Sequence, residues 1–185
     1  ALSPFKIAQL EASDEDSIKL MAEELRGVPI NLLINNAGVL EEDDFETATK
    51  ELLMRQFEIN SVSPFLVTRA LLSNLQLASR VSSSTTVVSI SSMLASISTN
   101  SGSRYGYRSS KTALNMINSC LAIDLKKHGI VAIVIQPGFV NTDLNGHKGA
   151  VEPMDSVSGM AKIIASLQME DTAKFFSFQG PEMPW

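Results

Sequence analysis

Tyr107 and Lys111 stand four residues apart in the run Tyr107-Arg108-Ser109-Ser110-Lys111. On a helix this spacing puts both side chains on one face, one turn apart. A free phenol ionises near ~10, too high for easy proton exchange at neutral pH. An ammonium beside it favours the phenolate and lowers that value. The pair is therefore a candidate general acid/base, although Y-x-x-x-K also describes an ordinary solvated surface pair. Tyr105 does not qualify, because Ser109 stands four residues beyond it.

Three other stretches bear on the choice. Asn35-Asn36-Ala37-Gly38, Ser91-Ser92 and Pro137-Gly138-Phe139-Val140-Asn141-Thr142 each close an apolar, strand-like run. Open α/β sheets bind ligands at the carboxyl ends of their strands. Taken singly, each stretch is equally a plain turn or a strand-end cap. Asn60 lies among apolar residues of a helical pattern, with Pro64 four residues on. An interior Asn followed by Pro disfavours a regular helix, and such local conflict points to function or to a bend under packing.

These motifs, in this order and at this spacing, resemble the short-chain dehydrogenase/reductase family over nearly the whole chain. Within the family they are similar to the sniffer-like carbonyl reductase and C-factor group. The resemblance implies a single Rossmann-like domain over residues 1–185, a doubly wound parallel α/β sheet. It implies reduction of a carbonyl, or the reverse, with Ser92 polarising the oxygen and Tyr107 donating the proton. Lys111 would tune Tyr107 and hold the ribose, and Asn60 would anchor a relay water. Ser92 fits the family's serine better than Ser91, as the last Ser before the loop. The implied cofactor is NADP(H) rather than NAD(H). Its contacts would be Glu11 at the adenine and Asn36, Ala37 and Gly38 along the adenosine ribose. Tyr107 and Lys111 would meet the nicotinamide half, with Pro137, Gly138, Val140 and Thr142 around the carboxamide. Glu11 replaces the family's shorter acid and also reads as a solvated strand-end residue.

The family opens with a strand and a glycine-rich turn, T-G-x-x-x-G-x-G, and no such segment stands in this sequence. Gly102-Ser103-Arg104-Tyr105-Gly106 follows no strand and is no substitute. The first residue is Ala1, so the sequence is expected to begin inside a longer family pattern, with the first two strands and roughly a quarter of the usual domain missing. The ending from Gly180 to Trp185 resembles the group's natural carboxyl terminus. Two alternatives follow: an impaired relative that acts as a dimerisation partner, and the same fold used for a non-redox biosynthetic step.

The bulk properties are consistent with this. A length of 185 residues suits one domain with a real core. Hydrophobic residues make 44% and charged residues 19%, ordinary for a globular chain. A net charge of -5 without a basic stripe argues against nucleic acid. No apolar run is long enough to span a membrane. Cys120 is the single cysteine, which excludes an intrachain disulfide and fits a reducing, cytoplasmic setting. His128 and His147 have no partners at metal-ligand spacing, so no metal is expected.

Strands are expected at Phe5–Leu10, Pro29–Ile34, Thr85–Ser89, Ile130–Ile135 and Lys174–Phe178 from their β-rich patterns. Helices are expected from Ser13, as N-cap, to Leu25; from about Thr47 to Ala78; from Tyr107 to Lys127; and from Glu152 to Leu167. The acidic loop Glu41–Glu46 reads as solvated. The Tyr107 helix is apolar on more than one face, which suggests burial against the sheet and against a second subunit, with Met116 and Cys120 read as core. The family commonly dimerises through this helix and the Asn60 helix, so a homodimer acting on a small carbonyl or alcohol is expected.

Overall fold

The computed structural model describes residues 3–81 and 84–185. Four β-rich runs pair in parallel in the order β1 (Leu32–Asn35), β2 (Thr85–Ile90), β3 (Ile130–Gln136) and β4 (Phe175–Ser177). β2 and β3 are almost entirely buried, which explains their continuous Val/Ile runs. One face of the sheet, through Val87, Ile130 and Ala132, packs on α4 (Leu72–Ser79) and α5 (Tyr105–Lys126). The other face, through Val88, Val131, Ile133 and Ile135, packs on α6 (Pro153–Ser166). The sheet is thus covered on both sides, an α/β fold of the Rossmann kind.

Register brings the strand ends together. Asn35 pairs with Ser89, and Ile90 with Ile135. The turns after β1, β2 and β3 therefore emerge at one edge of the molecule.

The expected strand at Phe5–Leu10 does not form. This segment runs without ladder partners, and a cavity of about 420 Å³ separates it from β1. Lys6, Ala8 and Leu10 line one wall, and Leu32, Ile34 and Asn35 the other. Alternation survives, but a strand requires a neighbour's backbone, and this segment pairs with none. Phe5 and Ile7 stay exposed, and so do Leu32 and Ile34 of the edge strand β1. α1 (Glu15–Glu24) is capped by Asp14, not by Ser13; the Asp14 carboxylate accepts from the Asp16 N–H at 2.9 Å. Ser13 instead donates to Glu11.

The long helix expected over 47–78 is three helices and a wide turn. α2 (Lys50–Phe57) runs into a π turn at Glu58–Val62, then α3 (Ser63–Ala70), then α4 after a break at Leu71. Pro64 has no N–H to give to the preceding turn, so the ladder widens there. At the second break, Asn74 turns inward and donates to the Leu25 and Val28 carbonyls, fastening α4 to the end of α1.

α5 begins two residues earlier than expected, at Tyr105. Leu114, Asn118, Ala122 and Leu125 lie buried. Met116, Cys120 and Ile123, however, are exposed on the opposite face, which corrects the assignment of Met116 and Cys120 to the core. No helix among the described residues is long and apolar enough to cross a membrane.

Candidate active site

The site forms where the turn after β1, the π turn, the end of β2 and the start of α5 converge. Asn60 is fully buried in the π turn. Its Oδ1 accepts from the Val39 N–H at 2.8 Å, and its Nδ2 donates to the Val39 carbonyl at 2.9 Å and to Ser110 Oγ at 3.0 Å. A π turn carries one residue more than a regular turn, and such bulges turn a side chain to a use the regular helix does not allow. Here it pins the backbone just past Gly38. A Cβ at Gly38 would stand 3.1 Å from Asn60 Oδ1 and 3.4 Å from Lys111 Nζ. The glycine thus keeps the two polar groups accessible from the strand end. Asn36 and Ala37 are exposed beside it.

Tyr107 and Lys111 are both buried on α5. The Lys111 ammonium donates to the Ile90 carbonyl at 2.8 Å and lies 6.0 Å from the Tyr107 ring centroid. Burial holds Lys111 down at about 8. Burial also pushes the Tyr107 phenol up, against a hydrogen bond with Ser92 and the nearby charge of Arg104. The ammonium is turned to the Ile90 carbonyl in this arrangement, and burial is the largest influence on the phenol.

The two serines diverge. Ser92 stands close enough to Tyr107 to favour its phenolate, and its Oγ accepts from the Leu94 N–H at 3.1 Å. Ser91 points the other way and donates to Asn115 Oδ1 at 2.6 Å.

After β3, Pro137 accepts from Ser156 Oγ at 2.7 Å. Gly138 has φ 86 and sits against Phe178 and Val151, where a Cβ would come within 2.8 Å of the Phe178 ring. Only glycine meets both conditions. Val140 bridges Val151, and its carbonyl accepts from Asn145 Nδ2 at 2.7 Å. Thr142 heads a short turn, and its carbonyl accepts from the His147 N–H at 2.9 Å. Glu11 is exposed, and its carboxylate is taken by Ser13 N–H and Oγ, which hold it below the ordinary range. The structure therefore brings Asn60, Ser92, Tyr107, Lys111 and Gly38 into one cluster and leaves Glu11 in a turn of its own.

Several participants carry no local signal in the sequence. The acidic loop is not simply solvated. Asp43 is buried and caps α5, accepting from Tyr105 N–H at 2.5 Å and Gly106 N–H at 3.0 Å. Gln56, fully buried, accepts from the Glu41 N–H and donates to the Glu41 carbonyl. Ser61 Oγ donates to the Ser110 carbonyl at 2.5 Å. These partners lie 15 to 63 residues apart in the chain, so no spacing rule could have revealed them.

Residues 3–152 match the family described as short chain dehydrogenase. The chain belongs to that family. Short chain dehydrogenases are oxidoreductases, and this chain is an enzyme by that likeness. It is 37% identical over 164 residues to the C-signal of Myxococcus xanthus, covering 85% of this chain and 93% of that one. Its fold superposes with a TM-score of 0.91 on a carbonyl reductase from chicken fatty liver solved with NADPH, at 34% identity, covering 97% of this chain and 77% of that one. The carbonyl reductase Sniffer of D. melanogaster superposes equally well, TM-score 0.91, at 24% identity, covering 96% and 77%. The likeness to the sniffer-like group read from the motifs stands, and so does the Rossmann-like fold.

Proposed function

We propose that this short chain dehydrogenase reduces a small carbonyl compound to an alcohol, or runs the reverse reaction, with NADP(H) preferred over NAD(H). The observation that carries the reading is the buried pair of Tyr107 and Lys111 on α5, with the ammonium 6.0 Å from the phenol ring, beside the buried amide of Asn60. In this reading a substrate oxygen takes hydrogen bonds from Ser92 and Tyr107. Tyr107 gives up its proton as the oxygen gains charge. Asn60 anchors the water from which the proton is restored.

The nicotinamide half of a dinucleotide fits the residues present. Lys111 is almost fully buried with one acceptor among the described residues, which leaves donors for a ribose. Gly38 leaves the approach open, and Asn36, Ala37, Pro137, Val140 and Thr142 line the same edge. The bound nicotinamide supplies or accepts the hydride. The pyrophosphate half fits less well. Anions bind where a helix N-terminus presents free N–H groups, and the described residues place no glycine-rich strand-to-helix turn beside β1. Tight dinucleotide binding is therefore not expected of these residues alone.

Direct titration of NADPH and NADH onto the purified chain tests the reading. Saturable micromolar binding, tighter for NADPH, supports it. No binding up to millimolar concentration overturns it and favours a second reading, a non-catalytic partner. That reading draws on the exposed Met54, Phe57, Met116 and Ile123 of α2 and α5. They also support a homodimer, which sedimentation would reveal. The lone, exposed Cys120 is compatible with a cytoplasmic location.

A further inference from the structure

Ser91 and Asn115 fasten the end of β2 to α5, with 2.6 Å between Ser91 Oγ and Asn115 Oδ1. Deeper in the same contact, Val87 of β2 and Ala122 of α5 belong to one apolar cluster. Side chains alternate along a strand, so Ser89 points to the same face as Ser91 and Val87. Asn118 stands three residues beyond Asn115 and four before Ala122, on the same face of the helix. Asn118 and Ser89 therefore form one layer, between the polar fastening and the apolar core.

That layer is closed to solvent, yet its polar atoms are unpaired. Asn118 is 0% exposed, Ser89 1% and Asn115 2%. Asn118 Nδ2 and Oδ1, Ser89 Oγ and Asn115 Nδ2 have no hydrogen-bond partner among the described residues. Buried polar atoms of native proteins almost always have one, from the protein or from ordered water. The side chains around the layer offer none. Leu114 lies one turn before Asn118, and Val134 stands beside Ser89 in the ladder; both are buried and apolar. The backbone groups there serve the helix and the ladder. A direct bond between Asn118 and Ser89 would still leave Asn115 Nδ2 and one end of the Asn118 amide unmet.

We propose that this layer is a water-binding site, in which buried water joins Asn115, Asn118 and Ser89 inside the contact between α5 and β2. A buried water typically makes about three hydrogen bonds. It accepts from amide hydrogens and donates to oxygens, so it serves both asparagine Nδ2 groups and the oxygens of Asn118 and Ser89. Ser91 extends the array to the strand end, one residue before Ser92. The site does not depend on the proposed reaction and is the same whether or not a dinucleotide binds.

Oxygen-17 magnetic relaxation dispersion, which detects long-lived internal waters, tests this on the unmodified chain and on Asn118→Leu. Leucine brings more volume and no polar atom, so it expels the water. The relaxation excess is expected to fall by at least one long-lived water. An unchanged excess in a natively folded variant overturns the proposal. Where Asn118→Leu loses native circular dichroism, diffraction from crystals of the unmodified chain decides. Ordered water within hydrogen-bond reach of Asn118 and Ser89 supports the site. Asn118 bonded directly to Ser89, with no water between α5 and β2, overturns it. Neither measurement uses a dinucleotide, so the result stands apart from the NADPH titration.

Discussion

Lys111 Nζ donates to the Ile90 carbonyl at 2.8 Å and lies 6.0 Å from the ring of its helix neighbour Tyr107. The ammonium thus ties α5 to the end of β2, one residue before the Ser91-Ser92 pair. The Thr112 hydroxyl strengthens the tie by donating to the Ala95 carbonyl at 2.9 Å. The helix that carries Tyr107 also fixes the loop that carries Ser92.

The buried ammonium has a consequence for stability. Its pKa falls from the ordinary 10.5 to about 8 on folding. Between those values the unfolded chain holds a proton that the folded chain has released, so this group's contribution to stability rises with pH across that window. Below about 8 both states are charged and the full penalty stands, on the order of 3 kcal/mol. Lys111→Met is expected to raise the urea midpoint near pH 7 and to lose most of that advantage by about pH 10. A variant less stable than the parent near pH 7 would contradict this.

The two serines are expected to behave differently. Ser91→Ala strands the Asn115 amide oxygen in the core and should lower stability by about 1–3 kcal/mol. Ser92→Ala, half-buried and near the strand end, should cost less stability. It removes the hydroxyl that favours the phenolate, so Tyr107 ionises at higher pH. Paired denaturation and phenolate titrations separate the two, and equal behaviour would refute the assignment.

At Gly106 a Cβ would lie 2.4 Å from Gln56 Nε2 and 2.9 Å from Leu52 Cδ2. Gly106→Ala, although a better helix former, is expected to destabilise by about 1–3 kcal/mol through overpacking of α2 on α5. Thermal melting checks the sign: a raised midpoint would mean that the two helices can separate.

Asn60→Leu removes all three of its hydrogen bonds and leaves Val39 N–H and C=O without this partner. Hydrogen exchange at the Val39 amide is expected to accelerate well beyond that of β2 amides in the same protein. Unchanged protection would show that the π turn does not hold the Gly38 turn in place.

Much of this architecture was legible. The buried strands β2 and β3 followed from their β-branched runs, and α6 from its amphipathic pattern. The spacing of a helix face placed Tyr107 beside Lys111, while the choice of Ser92 over Ser91 came only with the family resemblance. The failures share a physical cause. Phe5–Leu10 has the alternation of a strand, but strandhood depends on a neighbour that periodicity does not encode. Asp43 reads as one more surface acid, and only the fold places it against the α5 N-terminus.

The extra residue in the π turn also acts as a phase shift. Each residue advances a helix by about 100°. α2 and α3 therefore do not continue one stripe; they address different walls, α2 meeting α5 while α3 meets α1. Deleting a single residue between Glu58 and Val62 would rotate one helix against the other by that angle. Either the grip on α5 or the contact with α1 would face solvent. The bulge is in this sense a timing element, and its length in residues matters more than the identity of most of them.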